Sequence, residues 1–271
     1  MIIDRRLLLA ALAGGLMAPS LARAAATVVD LPVQDRVSKV TVWAPASPKA
    51  VVVFGHGGSS RPDRYEDLAQ WLVQQGYAVY APLHSDSLRM PKEQQKSLQQ
   101  AFGDRVGDMA ALTGYVAGRH PGLPVVAMGH SFGSLFALML GGALPYVQDL
   151  YNPAVRAVVC YSSPGAIPGL VNPTAYQTLK VPLLMITGDK DLVPGFVDDW
   201  RQHELPYQGT PVAESYELVV TGGEHNLVVG PQAPLARQVT FDFLNRELFA
   251  SGQPLRLQDG APAVLKSKAA G

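Results

Sequence analysis

The segment 124–144 constrains the fold more than any other part of the chain. An apolar run, Val125-Val126-Ala127-Met128, leads into Gly129-His130-Ser131-Phe132-Gly133, and a continuous apolar stretch, Leu135 to Leu144, follows. The spacing predicts a buried strand, a sharp turn and a buried helix. Glycine on either side of the central serine suits a turn so tight that a Cβ there would collide with neighbouring backbone. Such a turn lifts the Ser131 hydroxyl above the end of a sheet, where a nucleophile is wanted. The competing reading is an ordinary strand-to-helix loop with a capping serine.

The rest of the chain alternates short β-rich runs with longer helical patterns, the signature of a mostly parallel sheet with helices on both faces. Strands are expected over 37–44, 50–54, 77–82, 124–128, 155–161, 181–187 and 215–220. Helices are expected over 64–75, 92–119 with a break near Gly103, 135–144 and 235–249. Between the strands ending at Tyr161 and beginning at Val181 there is room for one short helix, around Thr174 to Leu179. That stretch is a minimal cap, which predicts an open site. A chain with 48% apolar and 16% charged residues can bury a sizeable core. Its 22 basic and 22 acidic residues balance, so nothing suggests a nucleic-acid partner.

Residues 1–24 read as an export signal peptide. Arg5 and Arg6 precede the apolar run Leu7 to Met17, and Ala22-Arg23-Ala24 has the small-x-small pattern of a cleavage site. The run is too short for an anchor helix, which needs about 20 apolar residues, so no stable membrane span is expected after removal. The destination is periplasmic or secreted. The arginine pair suggests the twin-arginine route, and Asp4, where that route's signals usually carry Ser or Thr, opposes it. Residues 25–250 form the expected catalytic domain. Residues 251–271, rich in Gly, Pro, Ala and Lys, read as a poorly ordered tail. The lone Cys160 cannot form an intramolecular disulfide and lies in an apolar strand pattern, where it reads as a core residue.

Three further segments complete a chemistry around Ser131. Gly223-Glu224-His225 follows the last expected strand, directly before the closing helix, and its imidazole could take and return the serine proton. In Gly188-Asp189-Lys190-Asp191 two carboxylates compete to orient that histidine. Asp191, further along the turn, is favoured, and Asp189 is expected to bond the turn backbone. His56-Gly57-Gly58-Ser59 follows the strand 50–54. Backbone N–H groups of Gly58 and Phe132 are candidates for an oxyanion hole. His56, His84 and His130 are candidates for the pocket lining, against the plainer readings of a loop-structuring residue, a polar loop and a residue packed under the turn. Arg105 and Asp108 read as a surface pair. His120 and His203 have no partner at metal-ligand spacing, and neither metal nor organic cofactor is expected.

Taken in order, Gly55-His56-Gly57-Gly58, Gly129 to Gly133, Gly188 to Pro194 and Gly223-Glu224-His225 resemble the landmarks of the α/β-hydrolase superfamily over roughly residues 37–249. The part around Tyr77 to Pro82 is similar to dienelactone-hydrolase and platelet-activating-factor-acetylhydrolase relatives, although a dienelactone hydrolase proper has a cysteine nucleophile. The resemblance implies the α/β-hydrolase fold, a Ser-His-acid triad and no cofactor. It does not imply a substrate. Cleavage of a carboxylic ester through an acyl-enzyme is the leading expectation. Amide or peptide cleavage and acyl transfer use the same triad. A non-catalytic binding protein on this fold would show a broken triad, and none is visible.

Overall fold

The computed structural model describes residues 23–268. All but the last two residues of the expected export signal, 1–24, lie outside the described residues, as do the final three of the tail.

The strands are β1 (Thr27–Val33), β2 (Arg36–Trp43), β3 (Ala50–Gly55), β4 (Tyr77–Pro82), β5 (Val125–His130), β6 (Val155–Tyr161), β7 (Leu183–Gly188), β8 (Ser215–Val220) and β9 (Ala263–Ser267). They form one sheet in the order β1-β2-β4-β3-β5-β6-β7-β8-β9. The strands from β4 to β8 run parallel. β1, β2 and β9 are antiparallel to their neighbours. The parallel strands are buried along their length except at Arg156 of β6, as strands covered on both faces are.

Helices α2 (Leu98–Arg119) and α3 (Phe132–Leu140) cover one face, where Met109, Leu112, Leu135 and Phe136 pack against Val51, Val53, Ala127 and Val158. On the other face, α1 (Glu66–Gln74) and α5 (Ala233–Phe249) set Leu68, Leu72, Phe243 and Leu244 against Val52, Met128, Val159 and Leu184. A short helix, α4 (Leu205–Gly209), follows a 3₁₀ turn at Trp200–Glu204 in the β7–β8 connection. The fold is the expected α/β architecture, a mostly parallel central sheet with helices on both faces.

Several local expectations are corrected. α2 begins at Leu98, not at residue 92, because Ser97 and Gln100 form a capping box there. It runs unbroken through Gly103, where an added Cβ would meet nothing within 4 Å. α3 starts at the turn itself and ends at Leu140. The helix expected around 174–179 does not form, and that segment is built of turns. Strand β1 went unrecognised in the sequence.

The tail is also corrected. Residues 263–267 form β9, which completes the sheet beside β8, and Leu255 and Leu257 pack onto the face that carries α1 and α5. Lys266 of β9 reaches Glu217 Oε2 at 2.8 Å, and Glu217 is fully buried. Burial pushes the Glu217 carboxyl up to about 7, and the lysine opposes that push. A chain ending at Ala250 should therefore lose stability. It exposes the β8 edge and leaves the buried Glu217 without its partly exposed cation, a loss of about 1–3 kcal/mol for a buried polar group left unpaired. At about 2–4 °C per kcal/mol for a domain of this size, thermal unfolding should show a fall of several degrees. An unchanged Tm would return 251–271 to a dispensable tail.

Candidate active site

Ser131 sits at φ 52°, ψ −126°, in a region that non-glycine residues rarely enter. Two main-chain bonds hold it there: its N–H donates to Tyr161 O at 2.8 Å, and its carbonyl accepts from Ser134 N–H at 2.9 Å. The flanking glycines have a steric reason. A Cβ on Gly129 would lie 2.4 Å from the Gly133 carbonyl, and one on Gly133 would lie 2.0 Å from Gly55 O. The turn is thus wedged against the end of β3.

His225 lies on the loop after β8, and its Nδ1 is 2.7 Å from Asp191 Oδ1. Asp191 is fully buried on the loop after β7, and Thr187 Oγ1 donates to its Oδ2 at 3.0 Å. Burial alone would raise this carboxyl, but hydrogen bonds from His203 and His225 outweigh it and hold Asp191 far below the usual carboxylate range. Asp189 points elsewhere: its Oδ1 accepts the Gly222 N–H at 2.7 Å and ties the two loops together. Of the two competing aspartates, Asp191 is the one against the histidine.

The three histidines expected to line a pocket do something else. His56 and His84 are fully buried and His130 nearly so. Their rings stand beneath the loops and do not line an opening. His130 Nε2 is 2.8 Å from His225 O, a carbonyl, so that nitrogen carries the proton. Its Nδ1 then accepts from the Tyr65 hydroxyl at 2.9 Å, and that hydroxyl accepts the Gly57 N–H at 3.0 Å. Burial, with the His225 ring beside it, lowers His130 to about 3, so it is a neutral strut from the turn to the His225 loop. His56 Nδ1 bonds Gly57 O at 2.8 Å, and His84 Nδ1 bonds Asp108 at 2.8 Å. Burial, reinforced by Arg105, keeps both well below the ordinary histidine range.

Arg105 and Asp108 are not a surface pair. Both are fully buried. Arg105 grips Asp86 with two nitrogens, at 2.7 and 2.8 Å, and donates to His56 O at 2.7 Å and Gly57 O at 3.0 Å. Its guanidinium lies 4.9 Å from the centre of the Phe132 ring. Asp108 instead meets Arg36 and His84, and burial pushes it up to about 6. Asp86 Oδ2 also takes the Ser59 N–H at 2.7 Å. The N–H groups of Gly57 and Ser59 are therefore engaged. Those of Gly58 and Phe132 remain candidates for a developing oxyanion.

Arg105 thus clamps the loop that would carry the oxyanion hole. Arg105→Leu should destabilise the fold by about 3–5 kcal/mol, because Asp86 stays buried without its partner. Arg105→Lys keeps the charge but not the fork. It should fold and turn over at least about tenfold more slowly, since loss of one oxyanion donor costs about 10²–10³ in rate. Thermal melts and turnover of the two variants check this, and a fully active Arg105→Lys would remove the clamp from the chemistry.

Sequence reasoning set His203 aside, and the structure brings it to the site. Its Nε2 is 3.1 Å from Asp191 Oδ1 and 3.0 Å from Asp191 O. The ligand atoms of Asp191, His203 and His225 all lie within 4.8 Å of one another, so a cluster exists in space where spacing along the chain showed none. At 2.7 and 3.1 Å from Asp191 Oδ1 the two rings stand at hydrogen-bond separation. Tyr65, Thr187 and Asp86 were also missed; each acts through contacts that only the tertiary fold creates.

The family model described as serine aminopeptidase, S33 (Hydrolase_4) matches residues 46–173, which include Gly58 and Ser131 and stop short of Asp191 and His225. A monoacylglycerol lipase of Mycolicibacterium smegmatis is 32% identical over 120 residues, 43% of this chain and 42% of that protein. A monoglyceride lipase of Homo sapiens is 30% identical over 140 residues, 51% of this chain and 42% of that protein. The matches thus span well under half the length of these curated relatives. Among solved structures, an esterase of Pyrococcus furiosus superposes with TM-score 0.62 at 15% identity, over 83% of this chain and 91% of that one. A dienelactone hydrolase of Anabaena variabilis gives TM-score 0.58 at 21% identity, over 84% of this chain and 100% of that one. An acylaminoacyl peptidase of Pyrococcus horikoshii gives TM-score 0.64 at 14% identity, over 89% of this chain and 43% of that one. With this strand order and these likenesses, the chain has the α/β-hydrolase fold.

Proposed function

We propose that the protein is a carboxylic-ester hydrolase that works through an acyl-enzyme on Ser131. The observation that carries this reading is the 2.7 Å contact between His225 Nδ1 and the buried Asp191, on loops joined to the strained Ser131 turn through His130. Asp191 accepts a hydrogen bond from Nδ1–H and so leaves Nε2 as the base. His225 takes the Ser131 proton as the oxygen attacks the ester carbonyl. The oxyanion is met by the N–H groups of Gly58 and Phe132. His225 then protonates the leaving alcohol, and water repeats the sequence to release the acid.

Apolar side chains on the same loops favour an apolar acyl group. Leu192 and Phe196 follow Asp191, Val229 follows His225, and Leu88 follows Asp86, and all four are exposed. The monoglyceride-lipase relatives support an ester. The S33 description and the acylaminoacyl-peptidase neighbour favour amide cleavage as a second reading. Matched acyl esters and anilides separate the two. Soluble esters of short acyl chains should be hydrolysed, and anilides of the same acyl group should not. The cap of turns over 162–182 supports an open site, so the rate should not jump when an ester passes its solubility limit. Faster anilide cleavage would favour the amidase reading, and a sharp interfacial jump would require a lid.

Export of the mature chain to the periplasm or beyond is part of the proposal and rests on residues 1–24. Among the described residues no helix is long and apolar enough to cross a membrane. Replacing Arg5 and Arg6 by Lys should trap the precursor if the twin-arginine route is used, and normal maturation of that variant would favour the general secretory route.

A further inference from the structure

His203 stands apart from the other buried histidines. His56, His84 and His130 each have one ring nitrogen against an acceptor and the other against a donor or against nothing. A neutral imidazole satisfies each of them. His203 meets acceptors at both ends. Its Nδ1 is in very short contact with the Ser163 carbonyl, and its Nε2 faces Asp191 O and Asp191 Oδ1. None of these oxygens can donate. A neutral ring would set a nitrogen lone pair against an oxygen lone pair inside the protein, where an unpaired polar contact is costly.

We propose that His203 is a positioning residue of the triad, an imidazolium that shares the Asp191 Oδ1 oxygen with His225 and so fixes the carboxylate. The inference rests on the triad reading above. With His203 and His225 on Oδ1 and Thr187 on Oδ2, the carboxylate has no freedom to turn, and its charge is divided between two rings. Although burial opposes the charged form of His203, the bonds to Asp191 outweigh it and raise the ring's proton affinity.

The charge has a consequence for pH dependence. The groups facing this pair come from several elements. Asp191 lies on the β7 loop. The His225 ring centre is 6.0 Å from that of His203, and neutral His130 from β5 is 4.9 Å from His225. Arg64 bonds Asn226 beside His225, and Glu204 on the 3₁₀ turn of His203 pairs with Lys266 of β9. Among the described residues, His203 is the group besides His225 that can place a cation directly on the triad carboxylate. While it is charged, less of the Asp191 charge is left to favour protonation of the base, so the site stays active at lower pH. His203→Gln removes the cation and keeps a donor for Asp191. The acidic limb of the kcat/KM–pH profile should then move to higher pH by about half a unit or more, since one charge at this separation is a strong perturbation. A purely structural histidine would lower the plateau and leave the limb in place.

The direct test uses protein labelled with ¹⁵N-histidine, full length after maturation. At pH 7 one ring among the six histidines should show both nitrogens protonated. That ring should vanish in His203→Gln and persist in Ser131→Ala. Persistence in an inactive Ser131→Ala variant keeps this result independent of the activity assay. If Ser131→Ala stays active, the triad reading fails while the ring spectrum still reports on His203. If His203→Gln does not fold, the wild-type ring is assigned by elimination with variants at His120 and His225. A singly protonated His203 at pH 7 would overturn the proposal. So would a folded His203→Gln enzyme with an unmoved acidic limb.

Discussion

Ser131→Ala should abolish hydrolysis and leave the fold intact. The serine is held by its main chain, through the bonds from its N–H to Tyr161 O and from Ser134 N–H to its carbonyl, and alanine keeps both. The positive φ costs alanine about what it costs serine, so the variant's thermal stability should stay close to that of the parent. What alanine lacks is the oxygen that attacks. Removal of a triad member typically costs about 10⁴–10⁶ in kcat. Turnover of the purified variant, with its melting curve alongside, checks this. A folded variant that keeps more than about a tenth of the activity, far above that range, would remove Ser131 from the nucleophile's role.

Asp191→Asn should be nearly as damaging, and far more so than Asp189→Asn. The Asp191 carboxylate receives three donors, from His225, His203 and Thr187. An amide carries no charge and accepts at one oxygen only, so it cannot hold the two rings as the carboxylate does, even with its NH₂ turned to the Thr187 hydroxyl. It also favours the wrong tautomer of the base, a loss of about 10⁴ in a comparable triad. The buried charge pair is broken as well, so a loss of about 3–5 kcal/mol in stability should accompany the kinetic loss. Asp189→Asn keeps an oxygen for the Gly222 N–H and should change kcat by less than about tenfold, as a substitution that preserves its one acceptor does. Rates are compared at a temperature where both variants are folded. Reversal of the order would transfer the role to Asp189.

The parts of the site legible in the sequence are those whose cause is local. The Gly129–Gly133 turn announces itself because glycine spacing and flanking apolar runs record a steric need within a few residues. Chain order then places Asp191 and His225, each directly after a strand. The start of α2 was misplaced and its continuity missed although both have a local cause: Ser97 and Gln100 stand at capping-box spacing, and an added Cβ at Gly103 would meet nothing within 4 Å. What stayed hidden depends on contacts distant in the chain. Three-residue spacing makes Arg105 and Asp108 look like neighbours on a surface, yet packing delivers each to a different buried partner. His203 shows no local pattern, and only the β7–β8 connection folds it back onto Asp191. The residues of β9 alternate weakly in a Gly- and Pro-rich tail, and their strand character comes from the free edge of β8 and the pairing of Lys266 with Glu217.

The most direct measurement is covalent labelling of the mature protein with a fluorophosphonate, followed by mass spectrometry of its peptides. The expected result is one adduct per chain, on Ser131, absent from Ser131→Ala. An adduct on another serine, or labelling of Ser131→Ala at the parent rate, would contradict the assignment of Ser131 as the nucleophile.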